Sequence, residues 1–303
     1  MRILVTGARG FIGKNLIAEL KNRGYDEIYE YNRDTDKKLL NEYVKQTEFV
    51  YHLAGVNRPQ KPEEFMVGNF GFTSELLNLL KEHNNKAPVL FASSIQAEKN
   101  NDYGKSKKAA EDLLFAYSKE MGTEVYVYRL PNVFGKWCRP NYNSVVATFC
   151  YNVARGLEIE IDDPEKELIL CYIDDVIEEF INAMEGKPLY KGQFCIIPVK
   201  HRIKLGEMAK LIYEFRESRK DLSIPDMGDA FTKKLYSTYL SYLPEDGFSY
   251  ELVMHKDSRG SFTEFIRTLE RGQVSVNVSR PQTVKGNHWH HSKNEKFLVV
   301  SGR

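Results

Sequence analysis

The chain has 303 residues, with 43 lysines and arginines against 42 aspartates and glutamates. This length allows two domains, and the balanced charge gives no support for a nucleic-acid or membrane-surface partner. The four cysteines form no CxxC pair, the apolar N-terminal run is too short for a signal peptide, and no segment reaches transmembrane length. We therefore expect a cytoplasmic protein with reduced thiols.

The first 130 residues alternate between short apolar strands and amphipathic helices. The predicted strands are residues 3–5, 28–31, 49–54, 88–94 and 125–130. Helices are predicted from residue 12 to a stop at Gly24, at 74–82, and from Tyr103 through Leu114. Such alternation is typical of βαβ units and predicts an α/β fold with a doubly wound parallel sheet of Rossmann type.

After about residue 135 the alternation loosens. A sheet element is predicted at 193–197, and helices at 205–217 and 231–243 are expected to build a substrate lid. Residues 244–247 interrupt the helical pattern, and beyond them Val274, Val276 and Val278 alternate with polar residues, which predicts a half-buried antiparallel strand. We therefore assign residues 1–243 to one domain and 244–303 to a second, all-β segment.

A glycine loop follows the first strand. Gly7, Gly10 and Gly13 form a T-G-x-x-G-x-x-G pattern between a strand and a helix, with Phe11 and Ile12 inside it. The glycines allow a tight turn, a close approach of the backbone to phosphates, and packing of the helix on the strand. An ordinary strand-turn-helix is the alternative, but the position right after an N-terminal strand favours a dinucleotide site.

The end of the second strand indicates which nucleotide is bound. NAD sites usually place an acidic residue there, whereas Glu30 comes early and Arg33 follows. Arg9 and Arg33 could clamp a 2′-phosphate, or they could be solvated surface residues. We favour NADPH as the cofactor.

Ser94, Tyr103 and Lys107 form a candidate catalytic group. Residues four apart on a helix share a face, so the Lys107 ammonium and the Tyr103 phenol are within reach of each other. A nearby positive charge is expected to lower the pKa of the phenol towards neutrality, and Ser94 follows a strand whose C-terminal end borders the ligand crevice. A routine exposed pair at positions 103 and 107 is the alternative, which the glycine loop upstream makes less attractive.

Together these motifs resemble the extended short-chain dehydrogenase/reductase superfamily over residues 1 to about 180. The resemblance includes Leu53-Ala54-Gly55, Asn69, Arg129-Leu130-Pro131-Asn132-Val133-Phe134-Gly135 and Tyr172-Ile173-Asp174-Asp175-Val176. It implies that Leu53, Ala54 and Gly55 line the cofactor and that Asn132 lies near the substrate. Lys136 and Arg139 would contact a diphosphate, or be plain solvated charges.

The acidic pair Asp174 and Asp175, and the lack of such a pair after Ser94, have different implications. For Asp174 and Asp175 we prefer N-capping of the following helix over a role in the site. Dehydratases of the superfamily place an Asp-Glu pair directly after the catalytic hydroxyl residue, but here Ser94 is followed by Ile95 and Gln96. Elimination is therefore disfavoured, and simple reduction or redox epimerisation remains.

The last residues carry a histidine cluster. His288, His290 and Glu295 match the first metal-binding motif of cupins, and two histidines that alternate on a strand could share one zinc or other divalent ion. The second cupin motif is not in this sequence, so we expect an incomplete cupin segment with doubtful metal occupancy. A pure dimerisation module is the alternative for this segment.

A reductase-type domain followed by a cupin resembles the bifunctional capsular-polysaccharide enzymes of UDP-N-acetyl-L-fucosamine synthesis. In these enzymes the cupin epimerises C3 of a UDP-2-acetamido-2,6-dideoxy-4-hexulose, and the N-terminal domain reduces the C4 ketone with NADPH. The resemblance implies that this protein has the same activity. We also expect it to form a homodimer. A nucleotide-sugar epimerase with tightly bound NAD is the runner-up, and a non-catalytic dinucleotide sensor is a third possibility.

Overall fold

The structure is a computed structural model, and it describes residues 1–268, 272–287 and 289–302. Its internal contacts divide the chain into two units. The larger unit comprises Met1–Arg216 and Pro225–Glu245, and the smaller comprises Glu217–Ile224 and Asp246–Arg303.

The larger unit alternates strands and helices. Its strands are β1 (Ile3–Thr6), β2 (Ile28–Tyr31), β3 (Phe49–His52), β4 (Val89–Ser94), β5 (Val125–Leu130), β6 (Asn132–Phe134), β7 (Glu167–Tyr172), β8 (Tyr190–Lys191), β9 (Phe194–Cys195) and β10 (His201–Lys204). Its α-helices are α1 (Phe11–Asn22), α2 (Lys37–Gln46), α3 (Glu63–Phe65), α4 (Phe72–Glu82), α5 (Asp102–Met121), α6 (Val145–Ala154), α7 (Ile173–Met184), α8 (Leu205–Asp221, whose C-terminal end lies in the smaller unit) and α9 (Ala230–Leu240).

Seven strands form the main sheet, in the order β2-β1-β3-β4-β5-β9-β8. All neighbouring strands run parallel except the final pair, β8 and β9. Buried residues of α1 and α7 pack on one face of the sheet, and buried residues of α2, α4 and α5 pack on the other. The doubly wound α/β fold predicted from the sequence is confirmed.

A second sheet of the larger unit carries the strand after β5. Its order is β10-β7-β6, and its hydrophobic core is shared with α6, α8 and α9. The predicted helices at 205–217 and 231–243 correspond to α8 and α9. This sheet brings Asn132 and the loop after it next to the start of α7, because β6 pairs in parallel with β7.

The smaller unit is an antiparallel sheet of β11 (Met254–Asp257), β12 (Gly260–Thr268) and β13 (Gly272–Ser279). The antiparallel pairing predicted for this strand is confirmed. The prediction that one face of the strand is buried was wrong, because the valines of that face are exposed: Val274 by 49%, Val276 by 52% and Val278 by 56%. Alternation in a sequence predicts a shared face without saying whether anything covers it.

None of the helices in the described ranges is long and apolar enough to cross a membrane.

Candidate active site

The strand order reverses between β1 and β3, and ligands of open α/β sheets bind at such a switch point. The loops that follow these two strands meet there. Gly7 has a φ of +70°, and a Cβ on it would lie 2.8 Å from the backbone nitrogen of Ala54. Position 7 therefore requires glycine, because its φ is positive and because a side chain there would collide with the backbone of Ala54.

The glycine loop is packed against the start of α1. A Cβ on Gly13 would lie 2.4 Å from the carbonyl oxygen of Gly7, so only glycine fits there. Gly10 is the N-cap of α1, and no side chain caps this helix end. The backbone N–H groups of the first turn, which includes Phe11 and Ile12, are thus placed to bind an anion such as a pyrophosphate.

Arg9 is held by the turn that follows β2. Its backbone N–H donates to Asn32 Oδ1 at 2.8 Å, and its guanidinium Nη1 donates to Asp34 Oδ2 at 2.5 Å. The hydrogen bond from Arg9 lowers the pKa of the Asp34 carboxyl. Arg33 is exposed on the same turn. Of the two predicted arginines, Arg9 thus binds a carboxylate, that of Asp34, which was not predicted as part of the site.

Glu30, near the end of β2, is paired with a residue of α1. It forms an ion pair with Lys21 at 3.9 Å. Both side chains line an open groove of about 520 Å³ beside the glycine loop, together with Arg9, Lys14 and Trp137.

His52, the last residue of β3, is buried between two threonines. Its Nδ1 and Nε2 each lie 2.8 Å from a hydroxyl, that of Thr6 and that of Thr73 respectively. Because Thr73 Oγ1 donates to the carbonyl of Asn69 at 2.7 Å, His52 Nε2 must donate to Thr73, and Nδ1 must accept from Thr6. Burial lowers the pKa of His52 to about 3, so the ring is neutral at physiological pH.

Asn69 extends this chain of hydrogen bonds to α5. Its Oδ1 accepts from the backbone N–H of Val56 at 2.8 Å, and its Nδ2 donates to Ser106 Oγ at 2.9 Å. Ser106 Oγ in turn donates to the carbonyl of Tyr103 at 2.8 Å. The loop 53–56 after β3 is thus tied to the first turns of α5.

Ser94 and Tyr103 meet above the C-terminal end of β4. Ser94 ends that strand and its hydroxyl accepts a hydrogen bond from the backbone N–H of Gln96, while Asn101 caps the N-terminus of α5 through Gly104. Burial raises the pKa of Tyr103, and a hydrogen bond with Ser94 opposes this rise. The expected lowering of this pKa by Lys107 is not observed. Burial has the largest effect on the phenol, and it raises the pKa.

Lys107 lies one turn further along α5 and is only 4% exposed. Its Nζ donates to the carbonyl oxygen of Ala92 at 3.0 Å and lies 4.7 Å from the centre of the Phe91 ring. Burial lowers the pKa of Lys107 to about 8, and the Glu111 carboxylate opposes this shift. A Cβ on Gly55 would lie 3.2 Å from Lys107 Nζ, so the glycine leaves the ammonium open towards the loop after β3.

The predicted substrate residues follow β5. Asn132 begins β6 and is exposed. Arg139 stacks over the ring of Tyr142 at 5.1 Å, and so does Arg58, at 5.3 Å, from the loop after β3. Arg58 was not predicted from the sequence, because it has no characteristic spacing relative to Arg139.

Lys136 makes an ion pair with Asp174 at 2.9 Å and borders a cleft between α1 and α7. The prediction that Asp174 and Asp175 cap α7 was wrong: Tyr172 is the N-cap, and both aspartates lie in the first turn. There their negative charges interact favourably with the helix dipole. Both also bind lysines, Asp174 pairing with Lys136 and Asp175 with Lys234 at 2.6 Å.

The predicted metal ligands lie in the smaller unit. His290 Nε2 is 3.9 Å from Glu295 Oε2, and Lys293 is 2.6 Å from the same carboxylate. The third predicted ligand, His288, lies outside the described residues. The expected strand is missing here, since residues 280–287 and 289–302 contain none, and no group of three metal-ligating side chains occurs among the residues that the structure describes.

Residues 3–191 match the NAD dependent epimerase/dehydratase family. The chain belongs to this family. Residues 255–303 match a second family, the polysaccharide biosynthesis C-terminal domain.

One relative is similar along the whole chain. UDP-2-acetamido-2,6-beta-L-arabino-hexul-4-ose reductase of Pseudomonas aeruginosa is 48% identical over 302 residues, which cover 100% of this chain and 81% of the relative. UDP-glucuronic acid decarboxylase 6 of Arabidopsis thaliana is 25% identical and covers 67% of this chain.

Among solved structures, the capsular polysaccharide assembling protein CapF from Staphylococcus aureus superposes with a TM-score of 0.91 at 49% identity, covering 96% of this chain and 79% of that one. The predicted resemblance to capsular-polysaccharide enzymes is therefore confirmed. UDP-glucose 4-epimerase from Thermotoga maritima, at 22% identity and a TM-score of 0.66, shares the fold.

Proposed function

We propose that this protein uses NADPH to reduce the C4 ketone of a UDP-linked 2-acetamido-2,6-dideoxy-4-hexulose, a precursor of capsular polysaccharide. The observation that carries the proposal is the group formed by Ser94, Tyr103 and Lys107 beside the glycine loop. The 48% identity to a reductase of such a sugar nucleotide supports the substrate class.

The described residues fit a nicotinamide dinucleotide. The uncapped N-terminus of α1 offers N–H groups to the pyrophosphate, and Gly7 and Gly13 keep the loop free of side chains. Gly55 leaves space beside the Lys107 ammonium, which is placed to donate to a ribose hydroxyl. Arg9 and Arg33 would bind the 2′-phosphate, with Arg9 exchanging Asp34 for the phosphate.

When bound, NADPH supplies the hydride that C4 of the sugar must receive. As negative charge develops on the ketone oxygen, Tyr103 transfers its phenolic proton to that oxygen and Ser94 donates a hydrogen bond to it. The ketone thereby becomes an alcohol, and Tyr103 regains its proton from solvent. The positive charge of Lys107 is proposed to stabilise the transient phenolate.

On the substrate side, Asn132 is proposed to lie near the sugar and Arg139 to contact the diphosphate. Arg58 joins this proposal because it stacks on the same ring, that of Tyr142. Lys136 already holds Asp174 and would have to leave it to reach a phosphate.

The remaining roles concern the C-terminal segment. We propose that a complete cupin domain, holding zinc or another divalent ion through His288, His290 and Glu295, performs the C3 epimerisation. We further propose that the protein forms a homodimer.

The test is an assay with purified protein, NADPH and the UDP-linked 4-keto sugar. The proposal expects loss of NADPH absorbance in equal amount to the C4 alcohol formed, with no turnover when NADPH is omitted. The competing activity, epimerisation on tightly bound NAD, would instead convert the sugar without added cofactor and release stoichiometric NAD on denaturation.

A further inference from the structure

A buried carboxylate lies beneath the proposed catalytic group. Glu111 of α5 has no exposed surface. Its Oε1 accepts hydrogen bonds from Ser93 Oγ at 2.6 Å and from Arg129 Nε at 2.9 Å, and its Oε2 accepts from Arg129 Nη2 at 2.6 Å. This two-pronged contact is the strongest geometry that an arginine and a carboxylate can adopt.

Arg129 ties the carboxylate to the sheet. It lies opposite Ser93 in the parallel register of β4 and β5, and its guanidinium stacks over the ring of Phe194 at 3.8 Å. Its remaining nitrogen, Nη1, donates to the exposed Glu98 at 2.6 Å. Glu111 therefore joins one helix to two neighbouring strands, at the end of the sheet where the chemistry is proposed.

Glu111 and its partner Ser93 both lie close in sequence to the proposed catalytic residues. Ser93 directly precedes Ser94, and Lys107 lies one helical turn before Glu111 on α5. We propose that Glu111 is a positioning residue: through Ser93 and Arg129 it fixes α5 against β4 and β5, and its negative charge keeps the buried Lys107 ammonium protonated.

The charges around Lys107 support this role. Glu111 and Tyr103 lie on the same helix as Lys107, His52 lies on β3, and the Arg129 guanidinium of β5 is bound to the Glu111 carboxylate. His52 is neutral at physiological pH, and Tyr103 is an uncharged phenol. The Glu111 carboxylate is thus the group that raises the pKa of Lys107 against the effect of burial.

The inference rests on the proposed function for its kinetic readout, and it is tested with Glu111→Gln and with the double variant Glu111→Gln/Arg129→Gln. The single variant leaves a largely buried guanidinium without its partner and is expected to be less stable. The double variant removes both charges, which restores neutrality and recovers most of that stability. A purely structural role would therefore be rescued in the double variant.

The deciding readout is the pH profile of kcat/KM. In Glu111→Gln the alkaline limb is expected to move to lower pH, because Lys107 loses its proton more easily without the carboxylate. In the double variant the shift is expected to have the same direction but to be smaller, because the positive charge of Arg129 is lost as well. Glu98→Gln removes the exposed partner of the same arginine and is expected to leave the profile unchanged. A folded double variant with the wild-type alkaline limb would overturn the proposal.

The pH dependence of NADPH binding, followed by cofactor fluorescence, separates this inference from the proposed function. A wild-type protein that binds NADPH but does not reduce the keto sugar would contradict the proposed function alone. The affinity of the double variant would still be expected to fall at lower pH than that of the wild type. An unchanged binding profile would contradict the role of Glu111.

Discussion

The ammonium of Lys107 donates a hydrogen bond to the carbonyl oxygen of Ala92, 3.0 Å away, and so binds α5 to the strand that ends in Ser94. This contact fixes a buried positive charge two residues from the proposed substrate-binding hydroxyl. It also removes the ammonium from water, which is why its pKa falls to about 8. Activity should therefore depend on pH in the weakly alkaline range.

The first prediction concerns that range. The pKa of Lys107 is lowered to about 8, so its charge is present below this pH and lost above it. We expect kcat/KM for ketone reduction to decline above about pH 8, as the proton on Lys107 is lost. In Lys107→Arg the guanidinium stays charged, and this limb should disappear even if the rate is lower. A wild-type profile that is flat to about pH 10 would contradict the assignment.

The second prediction concerns the proton donor. Tyr103→Phe removes the phenolic proton but keeps the ring that packs against Phe65 at 5.6 Å. We expect kcat to fall roughly 10²–10⁴-fold while the Kd for NADPH changes little. The matched control is Tyr29→Phe, which removes a surface phenol on β2 and should leave kcat unchanged. Near-normal reduction by Tyr103→Phe would show that another group supplies the proton.

The third prediction concerns the glycine loop. A Cβ on Gly13 would lie 2.4 Å from the carbonyl oxygen of Gly7, so Gly13→Ala must displace the loop. We expect NADPH affinity, measured by fluorescence titration, to fall more than about tenfold, since the loop backbone holds the pyrophosphate. Gly156→Ala is the control: its φ is +68° with open space around it, so it should cost about 1–2 kcal/mol of stability and leave NADPH affinity intact. Equal affinities in the two variants would contradict the assignment.

The fourth prediction concerns the choice of nucleotide. Arg9 is proposed to bind a 2′-phosphate, a group that NADPH carries and NADH lacks. Arg9→Ala should therefore raise the Kd for NADPH by about tenfold and change the Kd for NADH little. Asp34→Asn should have the opposite effect on NADPH, because it removes a negative charge that competes for Arg9. Similar losses for both nucleotides would indicate that Arg9 supports the loop without reading the phosphate.

The fifth prediction concerns stability in acid. The pKa of His52 is lowered by burial from an ordinary 6.5 to about 3. The unfolded chain therefore binds one more proton than the folded protein between these values, and stability must fall as the pH falls through this window. His52 alone should contribute a slope of up to about 1.4 kcal/mol per pH unit.

Urea unfolding between about pH 7 and pH 5 measures this slope. His52→Gln should be less stable at neutral pH, because two threonine hydroxyls lose a buried partner, yet its stability should decline less in acid. His83→Gln, at a half-buried position beside Asn41, should retain the wild-type slope. An equal slope in wild type and His52→Gln would show that the buried ring is not the source.

The parts of the site that could be predicted are those encoded locally. The glycine loop and the Tyr103–Lys107 spacing lie within one strand-turn-helix and one helix, so periodicity and short motifs suffice to find them. Helix α2 was not predicted, because only Leu40 and Val44 of its ten residues are buried and its apolar signal is correspondingly weak.

The contacts that escaped prediction join residues far apart in sequence. Asp34 meets Arg9 across 25 positions, and Asn69 meets Ser106 across 37. No spacing rule links such pairs; they arise when parallel strands place their following loops at one edge of the sheet. The pairing of Glu111 with Arg129 was not predicted for the same reason, although both residues lie in elements that were predicted.

The most direct test of the central claim is to follow the hydride. The protein would be incubated with the UDP-linked 4-keto sugar and NADPH deuterated at the transferred position, and the product examined by NMR and mass spectrometry. A net ketoreductase built on Tyr103 and Lys107 predicts one deuterium at C4 of the sugar for each NADPH oxidised. A converted sugar without deuterium at C4, with the added NADPH unconsumed, would contradict it.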